Sequence, residues 1–143
     1  MLRGDPMPTR NYSAKNSFIY GLTITTLAPG ASTTGTFNVD GDSDFFWTKL
    51  AAWAMVADDG TTNNAIEVPA VTIIVVNTTS GRQYMNQGVP LNSMAGDAGL
   101  PFILPMETFW PAKTTIQVQY QNVSDNKTYS DLFLNFIGIK AFT

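Results

Sequence analysis

Phe18, Tyr20, Leu22 and Ile24 alternate with Ile19, Gly21, Thr23 and Thr25. A period of two is the pattern of a half-buried strand, because successive side chains of an extended chain point to opposite faces. The same signal recurs from residue 17 onward, and no stretch shows the 3.6-residue period of an amphipathic helix. Thr34 to Val39 reads as a short strand with Phe37 and Val39 inward. Phe45 to Val56 is apolar, and its middle, Leu50-Ala51-Ala52-Trp53-Ala54-Met55, has helical propensity. The aromatics Phe45, Phe46 and Trp47 at its start, and turn residues on both sides, favour strand. Val71 to Val76 is β-branched throughout and nearly all apolar, which predicts a strand covered on both faces. Arg82 to Met85 reads as a short strand. Phe102 to Leu104 and Met106 to Phe109 flank Pro105, which removes a ladder donor and predicts an edge or irregular strand. Thr115 to Asn122 puts Ile116, Val118 and Tyr120 inward and Gln117, Gln119 and Gln121 outward. Tyr129 to Phe142 is a long last strand, with Leu132, Leu134 and Phe136 on one face and Phe133, Ile137 and Ile139 on the other.

About eight strands at this spacing predict an all-β fold, a sandwich or barrel. A long first and last strand favour a jelly-roll β-sandwich of about eight antiparallel strands. An immunoglobulin-like sandwich is the alternative, but the chain has no Cys and so lacks the Cys-Trp-Cys spacing. The 143 residues suffice for one domain with a sizeable core. Residues 1–16 differ from the rest: Gly4, Pro6 and Pro8 punctuate them. Arg3, Arg10 and Lys15 against Asp5 leave them at +2, with −5 on the remainder. They are expected to form an extended N-terminal arm, 1–16, on a body spanning 17–143.

The absences narrow function. His and Cys are both 0, which removes Ser-His-Asp and Cys-His triads, thiolate metal sites and the commonest general base near neutral pH. A net charge of −3 argues against a nucleic-acid partner. No apolar run approaches the roughly 18 residues of a spanning helix, and Met1 to Pro6 does not begin like a secretory leader, so no membrane partner is expected. Phosphate loops and nucleophile elbows are missing, no cofactor is expected, and the chain does not read as an enzyme. Charged residues make up 13%, about half the usual ~25%. Solubility must therefore rest on Thr, Asn, Ser and Gln, or part of the surface is covered by a partner.

Asp40, Asp42 and Asp44, alternating around Gly41, offer hard oxygen ligands of the kind calcium takes. The positions where an EF-hand loop needs Gly and Glu hold Phe45 and Ala51, so that motif fails. A solvated hairpin turn favours the same residues and is the preferred reading. Among the other acids, Asp58, Asp59, Glu67 and Glu107, no pair signals a glycosidase; Glu107, beside Phe109 and Trp110, is the best single candidate for an acid next to aromatic platforms. Phe45, Trp47, Phe109 and Trp110, with Arg3 and Arg10 of the arm, are the candidate partner-binding residues. The same aromatics would serve equally in a core. Arg3-Gly4-Asp5, and the Asn-x-Ser/Thr tripeptides at Asn11, Asn77, Asn122 and Asn126, are short enough to occur by chance.

The stretch Leu-Pro-Met-Glu-Thr-Phe-Trp-Pro from Leu104, the alternating strand ending at Asn122, and the terminal Gly138-x-Lys140-x-Phe142 resemble a pattern in jelly-roll capsid decoration (cement) proteins of short-tailed bacteriophages. The resemblance covers about the last forty residues. It implies a virion structural protein on the capsid surface, whose partner is the major capsid protein and which stabilises contacts between capsomers. It also implies a homo-oligomer, a dimer before a trimer. A tail or head-fibre module, or a carbohydrate-binding sandwich using aromatics at loop ends, is the alternative.

Overall fold

The computed structural model describes residues 11–56, 70–91 and 101–142. In it the chain forms β1 (Ala14–Leu27), β2 (Ser32–Asn38), β3 (Ser43–Val56), β4 (Val71–Asn77), β5 (Arg82–Gln83), β6 (Val89–Pro90), β7 (Phe102–Trp110), β8 (Thr115–Asn122) and β9 (Tyr129–Phe142). Pairing runs from the outside in. β1 pairs β9, β2 pairs β8, β3 pairs β7, and β4 pairs the short β5 and β6, all antiparallel. The chain is thus one long two-stranded ribbon rolled on itself. Rolling adds the contacts β9–β3 and β8–β4. The result is a sheet ordered β1-β9-β3-β7 facing a sheet ordered β2-β8-β4-β5, with β6 also on β4. That is the jelly-roll sandwich.

The core lies between the sheets. Ile116, Val118 and Tyr120 of β8 are buried, as their alternation predicts; Val71, Ile73 and Val75 of β4 and Leu132, Leu134 and Phe136 of β9 are buried as well. β3 is a strand through its Ala-rich middle: β9 flanks it along almost its whole length, and tertiary pairing overrides the helical propensity of Ala and Leu. Its register slips between Trp47 and Lys49, a β-bulge with Thr48 as the extra residue. The bulge changes which residues face in: Phe45 and Trp47 before it, Leu50 and Ala54 after it. The Trp47 indole donates to the Lys49 carbonyl at 2.8 Å and the Thr48 hydroxyl to the Ile137 carbonyl at 3.1 Å. Opposite Trp47 on β9 is Gly138. A Cβ there would run into the Phe46 carbonyl oxygen and the Phe45 ring, so only glycine fits.

A second fixture is Asn122, fully buried. Its amide donates to the carbonyls of Leu27 (2.9 Å) and Lys127 (2.8 Å), and its oxygen accepts from the Ser124 N–H (2.9 Å) and hydroxyl (2.7 Å). It ties the end of β1 to the β8–β9 turn with every polar atom used.

Several expectations change. The expected arm reaches residue 16, but Ala14, Lys15 and Asn16 already belong to β1, because β9 runs on to Phe142 and offers them a partner; residues 1–10 lie outside the described residues. Arg82 to Met85 shortens to two paired residues. Phe102 to Phe109 holds to its expectation: it lies in an edge strand, β7, whose pairing to β3 stops between Ile103 and Thr108, around Pro105. β4 is covered only in part on its outer side, where Thr72, Ile74 and Val76 are half-buried.

Candidate functional site

The aromatics singled out from sequence separate by strand parity. Phe45, Trp47 and Trp110 are inside the sandwich with 0–2% of their surface exposed. Trp47 and Trp110 stack with centroids 5.0 Å apart, Phe136 lies 5.1 Å from Trp47, and the Trp110 indole donates to the Tyr84 hydroxyl at 2.8 Å. These three are core residues, and their expected role as partner contacts is corrected. A buried ring offers nothing to a partner. Phe109 is different. Next to Trp110 on β7, it points the opposite way, outward and half-buried, and packs on Phe46 at 5.2 Å.

Around Phe46 and Phe109 the outer face of the β1-β9-β3-β7 sheet is apolar. The register lines up Ser17, Ile139, Phe46 and Phe109 in one row. The next row is Ile19, Ile137, Lys49 and Ile103. Further along, Thr23, Phe133 and Trp53 align, and the Phe133 and Trp53 rings lie 4.9 Å apart. Ile103 is 67% exposed, Met106 78%, Ile19 54% and Trp53 39%. Apolar rows on a solvent-facing sheet mark an interaction surface more often than chance scatter does. Tyr12 borders the face, edge-on to Phe46 at 6.1 Å.

The facing sheet is built otherwise. Its outer rows are Ser32-Gln121-Thr72, Thr34-Gln119-Ile74 and Thr36-Gln117-Val76. Hydroxyls and amides dominate, and a shallow open cleft there is lined by Ser32, Thr34, Thr72, Gln119 and Gln121 among others, with no charged side chain.

The aspartates do not form a cation site. Asp44 is fully buried. Its Oδ1 accepts from the Ala112 N–H at 2.9 Å and its Oδ2 from the Tyr12 hydroxyl at 3.0 Å, so it joins β3 to the β7–β8 turn and to the segment entering β1. Asp40 pairs with Lys140, whose ammonium also lies 4.3 Å from the Phe18 ring centroid. Among the described residues no three acids stand close enough to hold a metal. The solvated-turn reading suits the exposed Asp40 and Asp42, but not Asp44. Lys140 is itself nearly buried; the hydrogen bond to Asp40 holds its pKa above the ordinary lysine value. The Tyr20 hydroxyl accepts from the Asp40 N–H at 3.0 Å, and burial pushes its pKa up. Glu107 is exposed on β7. Arg3, Arg10, Asp58, Asp59 and Glu67 lie outside the described residues.

Reading the sequence alone missed Phe46, Ile103, Met106 and Ile19 as surface residues. The available signal was β9, which is apolar on both faces and so calls for cover on both.

No protein-family model matches the chain, and no curated protein matches it. Among solved structures it is similar to the VP2 subviral particle of infectious bursal disease virus, at 11% identity and a TM-score of 0.32, over 97% of this chain and 42% of that one. It is also similar to the structure of infectious bursal disease virus Gx strain, at 12% identity and a TM-score of 0.29, over 99% of this chain and 40% of that one. The chain spans about two fifths of the solved chains it matches.

Proposed function

We propose that this chain is a virion structural protein of the capsid-decoration kind. It lays the outer face of the β1-β9-β3-β7 sheet on the outside of a major capsid shell and braces contacts between capsomers. The observation that carries the reading is the apolar face itself. Phe46, Phe109, Ile103, Ile139, Ile19 and Trp53 occupy the outside of a sheet whose core is already complete. Low overall charge supports it, because covered surface needs little solvation. The lack of His and Cys supports a role in binding rather than in catalysis. On a lattice, each contact can be weak, since neighbouring copies raise the effective concentration of the next.

The test is copy number followed by re-binding. Particles from the source are purified and this chain is quantified against their most abundant protein. A ratio near a simple integer fraction, with hundreds of copies per particle, fits a lattice brace. A handful of copies points to a tail or fibre part, and none overturns the reading. Purified chain is then sedimented with shells stripped of it. Binding that saturates at the native copy number is expected.

A further inference from the structure

A single charge interrupts the apolar outer face of the β1-β9-β3-β7 sheet. Among the described residues paired in the four rows from Ser17 to Thr23 of β1, only Lys49 is charged. Its neighbours across the strands are Ile137 and Ile103. Lys49 is half-buried, and among the described residues its side chain makes no hydrogen bond or ion pair. Asp131 of β9 lies six residues beyond Ile137, roughly 20 Å along the strand. Glu107 is on β7, where pairing to β3 has stopped.

The bulge in β3 puts Lys49 there. Strict alternation from Phe45 and Trp47, both inward, would turn Lys49 inward as well. The extra residue, Thr48, reverses the parity, so that Leu50 enters the core and Lys49 faces out. The Trp47 indole on the Lys49 carbonyl and the Thr48 hydroxyl on the Ile137 carbonyl hold the reversal in place. Bulges commonly re-aim a side chain beside a functional site.

We propose that Lys49 sets the specificity of this face: the partner that covers it presents one carboxylate, an Asp or Glu side chain, to the Lys49 ammonium, inside a patch that is otherwise apolar. The inference rests on the shell-docking reading and narrows it to the chemistry of the contact on the shell protein. While the face is open, the lysine stem lies on its apolar neighbours and the head stays wet. Under a purely apolar cover the ammonium would lose its water and gain nothing. A single cation matches a single carboxylate. A phosphate polymer or an anionic lipid surface calls for a cluster of cations, and the rows around Lys49 hold no other. The isoleucines and phenylalanines supply contact area, and the charge pair fixes the register, because a shifted contact leaves both charges buried and unpaired. Apolar surfaces that lack an acid are rejected by the same means.

The assay is binding of the full-length chain to shells stripped of it. Three substitutions are made at this one outward position, Lys49→Met, Lys49→Glu and Lys49→Arg, and circular dichroism checks that each is folded. Lys49→Met keeps the apolar stem and removes the charge. It is expected to bind about tenfold more weakly, because the shell carboxylate is then buried without a partner. Lys49→Glu is expected to lose about 100-fold or more, as like charges meet. Lys49→Arg keeps the charge and is expected to stay within about threefold of the parent. Equal or tighter binding by Lys49→Met overturns the proposal, since the ammonium then escapes to water past Ile103. So does a tolerated Lys49→Glu, or a Lys49→Arg that loses as much as Lys49→Met. If Lys49→Met binds normally while Phe46→Gln with Ile103→Gln does not, the docking reading stands and this inference falls. A parent chain that does not bind stripped shells overturns both.

Discussion

The two sheets share one core and differ on their outsides. On the β2-β8-β4 side, glutamines 117, 119 and 121 stand in a column between Ser32, Thr34 and Thr36 of β2 and Thr72, Ile74 and Val76 of β4. On the β9-β3-β7 side, the matching positions hold Ile137, Ile139, Phe46, Ile103 and Phe109. Both sheets are antiparallel and both turn apolar residues into the shared core. The difference is therefore not a demand of folding, which needs only one apolar face per sheet. The second apolar face is the one the proposed docking reading uses, and the polar face is its internal control.

The largest effect should come from breaking the sheet that carries the apolar face. Gly138→Ala puts a methyl into the Phe46 carbonyl, where neither backbone can yield. A loss of about 4 kcal/mol is expected, seen as a fall in Tm of ~10–20 °C or as no folded protein. Next comes the exchange of character on the surface. Phe46→Gln combined with Ile103→Gln should leave Tm within a few degrees and weaken shell binding about 100-fold, because each large apolar side chain contributes ~1.5–3 kcal/mol when covered. Equal binding by this double variant would place the contact elsewhere.

A smaller effect separates the sheets by pH. The Tyr120 hydroxyl is buried without a hydrogen-bond partner among the described residues, and burial pushes its pKa above the ordinary tyrosine value of 10.0. The folded-state pKa of Lys140 is raised as well, chiefly by its hydrogen bond to Asp40. A raised folded pKa means a contribution that is whole below the unfolded pKa and lost as pH climbs through the folded one. Stability should therefore be flat through neutrality and fall above about pH 10. Tyr120→Phe should flatten that fall and add roughly 1 kcal/mol at pH 7, since an unsatisfied polar group leaves the core. The smallest effect is Gln119→Leu on the polar face: a change within about 0.5 kcal/mol in stability and unchanged shell binding. A gain in binding from this variant would mean that the two faces are interchangeable and the comparison means little.

The strands were legible because their residues announce a period of two. β4, β8 and β9 alternate or run β-branched, and for β8, with glutamines on one side only, the inward side followed directly. The surface was not legible, for a parity reason. Phe45, Phe46 and Trp47 are three aromatics in a row, so alternation says that Phe46 opposes the other two but not which set is inside. Phe109 and Trp110 pose the same two-way choice on β7. The choice is settled by the partner strand: Phe45 pairs with both Lys140 and Trp110, Phe46 with both Ile139 and Phe109, and cross-strand partners share a face. Asp44 was misread for a related reason. Nothing local tells a turn aspartate from one whose oxygens are already taken by Tyr12 and Ala112, residues far away in sequence.

The ribbon topology also sets a timetable. β9 is the spine of its sheet, with β1 on one side and β3 on the other, yet it is the last of these strands to be synthesised. Until residues 129–142 have emerged, β1 and β3 have nothing between them. At ~5–20 residues per second, that leaves β1 unpartnered for on the order of ten seconds. Nearly every contact that matters joins distant parts of the chain, so folding should be slow as well as late. The newborn polypeptide must therefore be kept from its neighbours while its apolar strands wait, and yield in the cell should depend on crowding at the ribosome and on holdase chaperones more than on the stability of the finished sandwich.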